Sequence, residues 1–328
     1  MKQASNLRIK ASPRQFSDLL LTWYEGNRRD LPWRRDRDPY RVWISEIMLQ
    51  QTRVAAVIEH YKRFLQRFPT VQKLASAREA SVLAAWSGLG YYRRARMMHA
   101  ASKQIVQKHD GVFPNRAESL QEIAGIGAYT AAAIASICFG EPVAVVDGNV
   151  ERVLSRMVGK QLERKEVWQR AQSLIGTDRP GDFNQAMMEL GATVCVPGQP
   201  KCMFCPVSEF CATRGALQSL EKPARQKKQE IRYSLFRNNG SVLLVRRSKD
   251  ASLMPGMWEL PEAEAPDTAV AFSLRHSITV TDYTVHVVEA IAPETTFIQH
   301  GRWLSPKQIS RLPLTGLAKK ILRKADML

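Results

Sequence analysis

The sequence predicts a mainly helical, basic domain followed by a small α+β domain, and three observations carry that prediction. Residues 12–210 place apolar side chains at helical spacing, in Phe16, Leu19, Leu20 and Trp23 and again in Val42, Ile44, Ile47, Met48 and Leu49. The stretch RGALQSLEKPARQKKQE at 214–230 is polar, basic and nearly free of large apolar residues, so it reads as an interdomain linker. Strand-type runs follow at Ile231–Phe236 and Ser241–Val245, with Asn238-Asn239-Gly240 between them as a hairpin turn. His276–Ala290 is again rich in β-branched and aromatic residues, and a helix over 315–324 closes the chain.

Size and composition agree. A chain of 328 residues suits about two domains, and 45% hydrophobic with 24% charged residues excludes a disordered or collagen-like chain. No heptad, repeat or low-complexity tract occurs. The longest uncharged run, Ile123–Gly140, is rich in Gly, Ala and Ser and broken by Gly-Ile-Gly, which makes it a poor membrane span. MKQASNLRIKASPRQ at the start has no apolar core and does not read as a secretory signal. The expectation is a soluble cytoplasmic protein with no membrane partner.

Charge narrows the function. Lys and Arg total 48 against 31 Asp and Glu, a net +17, of which residues 1–229 carry +14. Such a surface attracts a polyanion through counterion release and long-range steering. Nucleic acid is the favoured partner, with generic basicity or acidic lipid as the alternatives.

Within the first helical stretch, Asp38-Pro39 is a helix start, a capping residue followed by a proline that has no N–H to leave unsatisfied. Glu46 is then the odd residue in the apolar segment WISEIML. A carboxyl in apolar surroundings has its ionised form disfavoured and can act as an acid near neutrality. The competing reading is a solvated Glu on an amphipathic face.

SLQEIAGIGAYTAAAIASI at 119–137 reads as helix, Gly-Ile-Gly hairpin, helix. Gly125 and Gly127 let the backbone turn tightly and approach a phosphate, while the N–H groups of the next helix point outward. This helix-hairpin-helix signature positions DNA without reading its sequence, although the same pair can be a bare structural turn. Asp147 stands in VAVVDGNVERV, between an apolar run and a new helix. It suits a helix N-cap, and capping is compatible with chemistry. A raised acid and an ionised partner are what cleavage of a glycosidic bond requires.

Four of the five cysteines form Cys195-x6-Cys202-x2-Cys205-x5-Cys211. Disulfides are disfavoured in a reducing cytosol, and thiols so close in sequence point to one metal centre, zinc or an iron–sulfur cluster. The uneven single loop departs from the paired C-x2-C knuckles of common zinc ribbons and favours a cluster. Cys138, in AAAIASICFG, reads as core packing.

LPWRRDRDPYRVWISEIMLQQTRV, GLGYYRRAR, IAGIGAYTA, VDGNVERV and the four-Cys loop occur in that order. Together they resemble the adenine DNA glycosylases, the MutY family, which act on adenine opposite 8-oxoguanine or guanine. The resemblance is dense over residues 12–215 and looser over 230–328. It implies a multi-domain chain: a mainly α helix-hairpin-helix glycosylase domain at 1–213 with an iron–sulfur cluster loop at 195–211, the linker at 214–230, and a small α+β Nudix-like lesion-recognition domain at 231–328. It further implies a [4Fe–4S] cluster on Cys195, Cys202, Cys205 and Cys211, a monomer acting on double-stranded DNA with A:8-oxoguanine or A:G mispairs, and residence on the nucleoid. By the same resemblance Glu46 protonates N7 of a flipped adenine, Asp147 stabilises the sugar cation, and Tyr129 and Asn149 line the sugar side. Arg34 and Gln185 contact the base. Gln51, Thr52, Leu89, Tyr91, Gly125, Gly127 and His276 face DNA, with Gln51 and Tyr91 filling the stack when adenine leaves. A packed core ring is the other reading of Tyr91.

Endonuclease III-like glycosylase/lyases carry a Lys two residues after the second hairpin Gly, where this chain has Tyr129. The expectation is therefore a monofunctional glycosylase that leaves an abasic site. A glycosylase/lyase and a non-enzymatic, cluster-bearing DNA-binding or redox-sensing protein are the alternatives. SVLLVRRS and PGMWELPE resemble the family's Nudix-like domain, and Gly256 and Glu262 keep the opening Gly-x5-Glu spacing. Past Glu262 the box fails: Val270-Ala271-Phe272 stand where an Arg-Glu pair begins, and the Mg²⁺-binding carboxylates are missing, so pyrophosphate hydrolysis is not expected. The family's aromatic-Ser-His element finds its nearest counterpart in Leu274-Arg275-His276-Ser277, where His276 is also readable as a surface strand residue.

Overall fold

The computed structural model describes residues 12–217, 227–251, 253–263, 269–278, 281–290 and 301–328. Most of the N-terminal segment read for a signal and the middle of the predicted linker lie outside these residues. The elements run α1 (Pro13–Asn27), α2 (Pro39–Leu49), α3 (Val54–Arg67), α4 (Val71–Ala75), α5 (Glu79–Trp86), α6 (Tyr92–His109), α7 (Ala117–Gln121), α8 (Ala128–Phe139), α9 (Gly148–Val158), α10 (Arg164–Leu174) and α11 (Pro180–Thr193). Then come β1 (Lys227–Asn238), β2 (Ser241–Arg246), β3 (Trp258–Glu259), β4 (Val270–Ile278), β5 (Thr281–Ala290), β6 (Gly301–Leu304), α12 (Pro306–Ile309) and α13 (Gly316–Lys324).

Two compact units result, the first taking the described residues within 1–65, 70–72 and 100–220. Its centre is α8, where every residue from Thr130 to Ile137 is buried. The alanines there permit close approach by neighbouring helices. A Cβ added at Gly181 of α11 would stand 2.6 Å from the Ser136 carbonyl oxygen. The side chain of α2's cap, Asp38, accepts from the Arg41 N–H at 3.0 Å with Pro39 next to it, as the sequence predicts. Tyr40 and every residue from Val42 to Met48 are buried, so α2 is a core helix rather than an amphipathic one. A second core joins α1, α9, α10 and α11 around Phe16, Leu20, Leu154 and Leu190.

The second unit takes 66–69, 73–99 and the described residues within 221–328. Residues 73–99 thus cluster with the sheet, although the sequence reading sets them inside a domain 1–213. Two bonds tie this segment to the region before α13: Ser87 and Tyr92 both donate to the Leu314 carbonyl. The sheet runs β3-β2-β1-β5-β4, with β6 also on β2 and the β1–β5 pair parallel. β1 begins at Lys227, inside the stretch predicted to be linker. Asn239 (φ 45°) and Gly240 (φ 72°) form the two-residue hairpin turn that an Asn-Gly pair favours. The predicted last helix is α13, capped by Thr315 and packed through Leu317, Ala318, Ile321 and Leu322.

Candidate active site

Glu46 sits on α2 at 6% exposure, so the solvated alternative is excluded. The Tyr129 hydroxyl, on the first turn of α8, donates to Glu46 Oε2 at 2.6 Å. Burial pushes the Glu46 carboxyl up to about 7, reinforced by Asp147 and opposed by the Tyr129 hydrogen bond and the Arg34 charge. Burial also lifts the Tyr129 phenol well above its ordinary range.

Asp147 caps α9. Its Oδ1 accepts from the backbone N–H groups of Asn149 (2.9 Å) and Val150 (2.8 Å), and its Oδ2 from Asn149 Nδ2 (2.7 Å). The approach to this cap is fixed by side chains of other helices. Asn184 bonds Val143 and Val145, and Gln172 bonds Pro142 and Ala144. Asn149 is held in turn by Arg152, whose Nη2 donates to Asn149 Oδ1 (2.8 Å) and the Gly191 carbonyl (2.7 Å) while its Nε donates to the Cys195 carbonyl (2.8 Å). Gly191 is needed here: a Cβ would fall 2.5 Å from Asn149 Cβ.

Arg34 donates to Glu189 Oε2 at 2.8 Å, Arg29 bonds both Glu189 oxygens, and the Arg34 guanidinium lies over the Tyr24 ring. Burial pushes the Glu189 carboxyl up, but hydrogen bonds from Arg29 and Arg34 overcome it and hold the group at about 2. Gln185 accepts from the Tyr24 hydroxyl at 3.3 Å.

Gly125 takes φ 91°, Gly127 caps α8, and both are exposed beside the helix start, while Ile123 and Ile126 anchor the turn below. This gives the loop the outward N–H groups and positive helix end that suit a phosphate. Gln51 is exposed at φ 55° and Thr52 is half-buried. In the second unit, Tyr91 is 48% exposed at φ 47°, so the core-ring reading fails, whereas Leu89 is buried. His276 is half-buried on the face of β4 that also carries Phe272 and Leu274, close to Gly316 of α13. Burial and the Lys320 charge lower its basicity.

Cys195, Cys202, Cys205 and Cys211 line one recess of about 320 Å³, open mouth included, with Arg156 and Arg214. Arg156 Nη1 points to Cys195 Sγ at 3.3 Å, and its other bonds reach the Val196 and Gly198 carbonyls. Among the described residues no group of three or more His, Cys, Asp or Glu is placed to hold a single metal ion. Four thiols around a recess, with a guanidinium on one of them, fit a larger anionic group. Arg152, Arg156 and Glu189 carry this architecture, and none was among the candidates read from the sequence. The signal for Glu189 was available: like Glu46, it is a lone carboxylate in an apolar helix, MMELGATV.

Residues 44–176 match the family described as "HhH-GPD superfamily base excision DNA repair protein". The chain is also similar, at 29% identity and a TM-score of 0.58, to a solved thermostable thymine-DNA glycosylase, covering 62% of this chain and 96% of that one. The helical part of the chain has the HhH-GPD glycosylase fold, followed by an α+β sheet region. Among curated proteins the similarity is to adenine DNA glycosylases. The identity is 40% over 312 residues with that of Arabidopsis thaliana, covering 80% of this chain and 49% of the relative. With that of Homo sapiens it is 49% over 214 residues, covering 61% and 39%. The chain spans about half the length of these relatives or less.

Proposed function

We propose that this chain is a monofunctional adenine DNA glycosylase of base excision repair, acting on adenine mispaired with 8-oxoguanine or guanine. The observation that carries the reading is Glu46: a buried carboxyl with its proton affinity raised toward neutrality, beside a tyrosine and near a triply bonded Asp147. In this scheme DNA docks by its phosphates on the basic surface and the Gly125–Gly127 hairpin, and the adenine leaves the stack. Arg34 and Gln185 meet the base. Glu46 gives its proton to N7, the bond from N9 to the sugar breaks, and its electron pair leaves with adenine. Asp147 stabilises the oxocarbenium-like sugar that remains. Water then adds to the sugar carbon and loses a proton, leaving an abasic site. Tyr129 has no amine to form a Schiff base, so no strand cleavage accompanies excision.

Cys195, Cys202, Cys205 and Cys211 would hold a [4Fe–4S] cluster, which when bound supplies a cross-link that orders the loop. The sheet region is the Nudix-like part, serving recognition rather than pyrophosphate hydrolysis. The protein acts as a monomer in the cytoplasm, on the nucleoid. Single-turnover assays on A:8-oxoguanine, A:G and A:T duplexes and on thymine glycol opposite A test the reading. Adenine loss from the first two, with strand breaks mainly after alkali, is expected. Thymine glycol cleavage without alkali would place the chain among the glycosylase/lyases instead.

A further inference from the structure

Within the second unit, residues 86–92 form a tightly turned loop with an aromatic at its tip. Gly88 (φ 111°), Gly90 (φ 69°) and Tyr91 (φ 47°) all take left-handed backbone, which a tyrosine adopts only when its surroundings impose it. Trp86 Nε1 donates to the Gly90 carbonyl at 3.0 Å. The Arg94 guanidinium lies 5.4 Å from the centres of both the Trp86 and Tyr91 rings and reaches the Leu89 and Gly90 carbonyls. These contacts hold the loop's shape.

Further bonds tie the loop to the segment that starts α13, while the Tyr92 hydroxyl also bonds Ser87 and the Gly88 backbone within the loop. The Tyr92 hydroxyl (2.8 Å) and Ser87 Oγ (3.2 Å) donate to one oxygen, the Leu314 carbonyl, and Lys319 Nζ donates to the Ser87 carbonyl (3.1 Å). The receiving segment is itself fixed. The Trp258 N–H of β3 donates to the Pro313 carbonyl, and the Thr315 N–H returns the bond to the Trp258 carbonyl. Tyr92 is buried and Tyr91 beside it is half exposed.

We propose that Tyr92, Ser87 and Lys319 clamp the Tyr91 loop to the sheet region through the Leu314 carbonyl, so that this region sets how Tyr91 is presented to a duplex. Tyr92 and Lys319 are positioning residues that act through Tyr91. The role assigned to Tyr91 rests on the glycosylase reading above; the clamp itself does not.

The test uses the whole 328-residue chain with Tyr92→Phe, Lys319→Met, Tyr91→Ala and the Tyr92→Phe/Tyr91→Ala double variant. Cluster absorbance and melting profile serve as controls for folding. Without DNA, Tyr92→Phe should raise amide exchange at residues 88–91 about fivefold, the weight of one ordinary hydrogen bond. Lys319→Met should act in the same direction. With an A:8-oxoguanine duplex, Tyr92→Phe should weaken the preference over A:T, and that loss should vanish in the Tyr91→Ala background. Unchanged exchange in Lys319→Met overturns the clamp whatever Tyr92→Phe does, because the Tyr92 hydroxyl also bonds Gly88 within the loop. Raised exchange with equal losses in both Tyr91 backgrounds overturns its action through Tyr91. Raised exchange with Tyr91→Ala binding like wild type overturns presentation to DNA and strikes at the insertion reading, while excision by the parent leaves the enzyme assignment intact.

Discussion

The Tyr129 hydroxyl donates to Glu46 Oε2 across 2.6 Å, joining the first turn of α8 to the middle of α2 inside the helical core. The bond opposes burial, which favours the neutral acid, and leaves the carboxyl at about 7. A group poised there can both hold and give a proton near neutral pH.

The pH profile follows directly. In the proposed scheme Glu46 acts protonated, so single-turnover excision should be full below pH 7 and fall as pH rises through about 7. Tyr129→Phe removes the contact that lowers the carboxyl's proton affinity. The falling limb should then move to higher pH, whatever happens to the maximal rate. A limb that stays in place or moves down would contradict the pairing.

Asp147 caps α9 and, in the proposed scheme, also stabilises the sugar cation; two substitutions separate these roles. Asp147→Asn keeps a capping oxygen, so urea unfolding should change by less than about 1 kcal/mol, whereas Asp147→Ala should cost about 1–2 kcal/mol. Excision should fall at least about a hundredfold in both. Loss of activity that scaled with loss of stability would reduce Asp147 to a cap.

Glu189 is buried against Arg29 and Arg34, with its carboxyl held at about 2 against an ordinary 4.5. A depressed carboxyl stabilises the fold above its unfolded value, and that contribution is lost as pH falls from 4.5 toward 2. Glu189→Gln should cost about 3 kcal/mol at neutral pH, the low end for a broken buried pair because Arg29 is partly solvated. Unfolding of both proteins at pH 7 and pH 3 checks this: the gap between them should narrow at the lower pH.

Cys202→Ser should lose the brown absorbance of an iron–sulfur cluster and most duplex affinity. A colourless, active parent protein would rule out the cluster.

Local chemistry was legible in the sequence. Asp38-Pro39 and Asp147-Gly148 announce their helix starts, and Asn239-Gly240 its hairpin, because each acts on its own backbone neighbours. Glu46 stood out by type, but its burial depends on how α2 packs, which the apolar pattern of one helix does not settle. The clamp on Arg34 joins residues 155 positions apart in sequence, and no local pattern marks such a pair. The same holds for Arg152, which gathers Asn149, Gly191 and Cys195 from three segments. Lys227–Glu230 read as linker because they are polar, yet ten residues of β1 pair with β5, and that pairing recruits them into the strand.

The most direct test is Glu46→Gln against the parent protein on an A:8-oxoguanine duplex, with excision and binding measured together. Duplex affinity should stay close to that of the parent, and excision should fall by at least about a hundredfold, the share of a general acid. Turnover equal to the parent's would contradict it, because the buried carboxyl would then have no part in the chemistry.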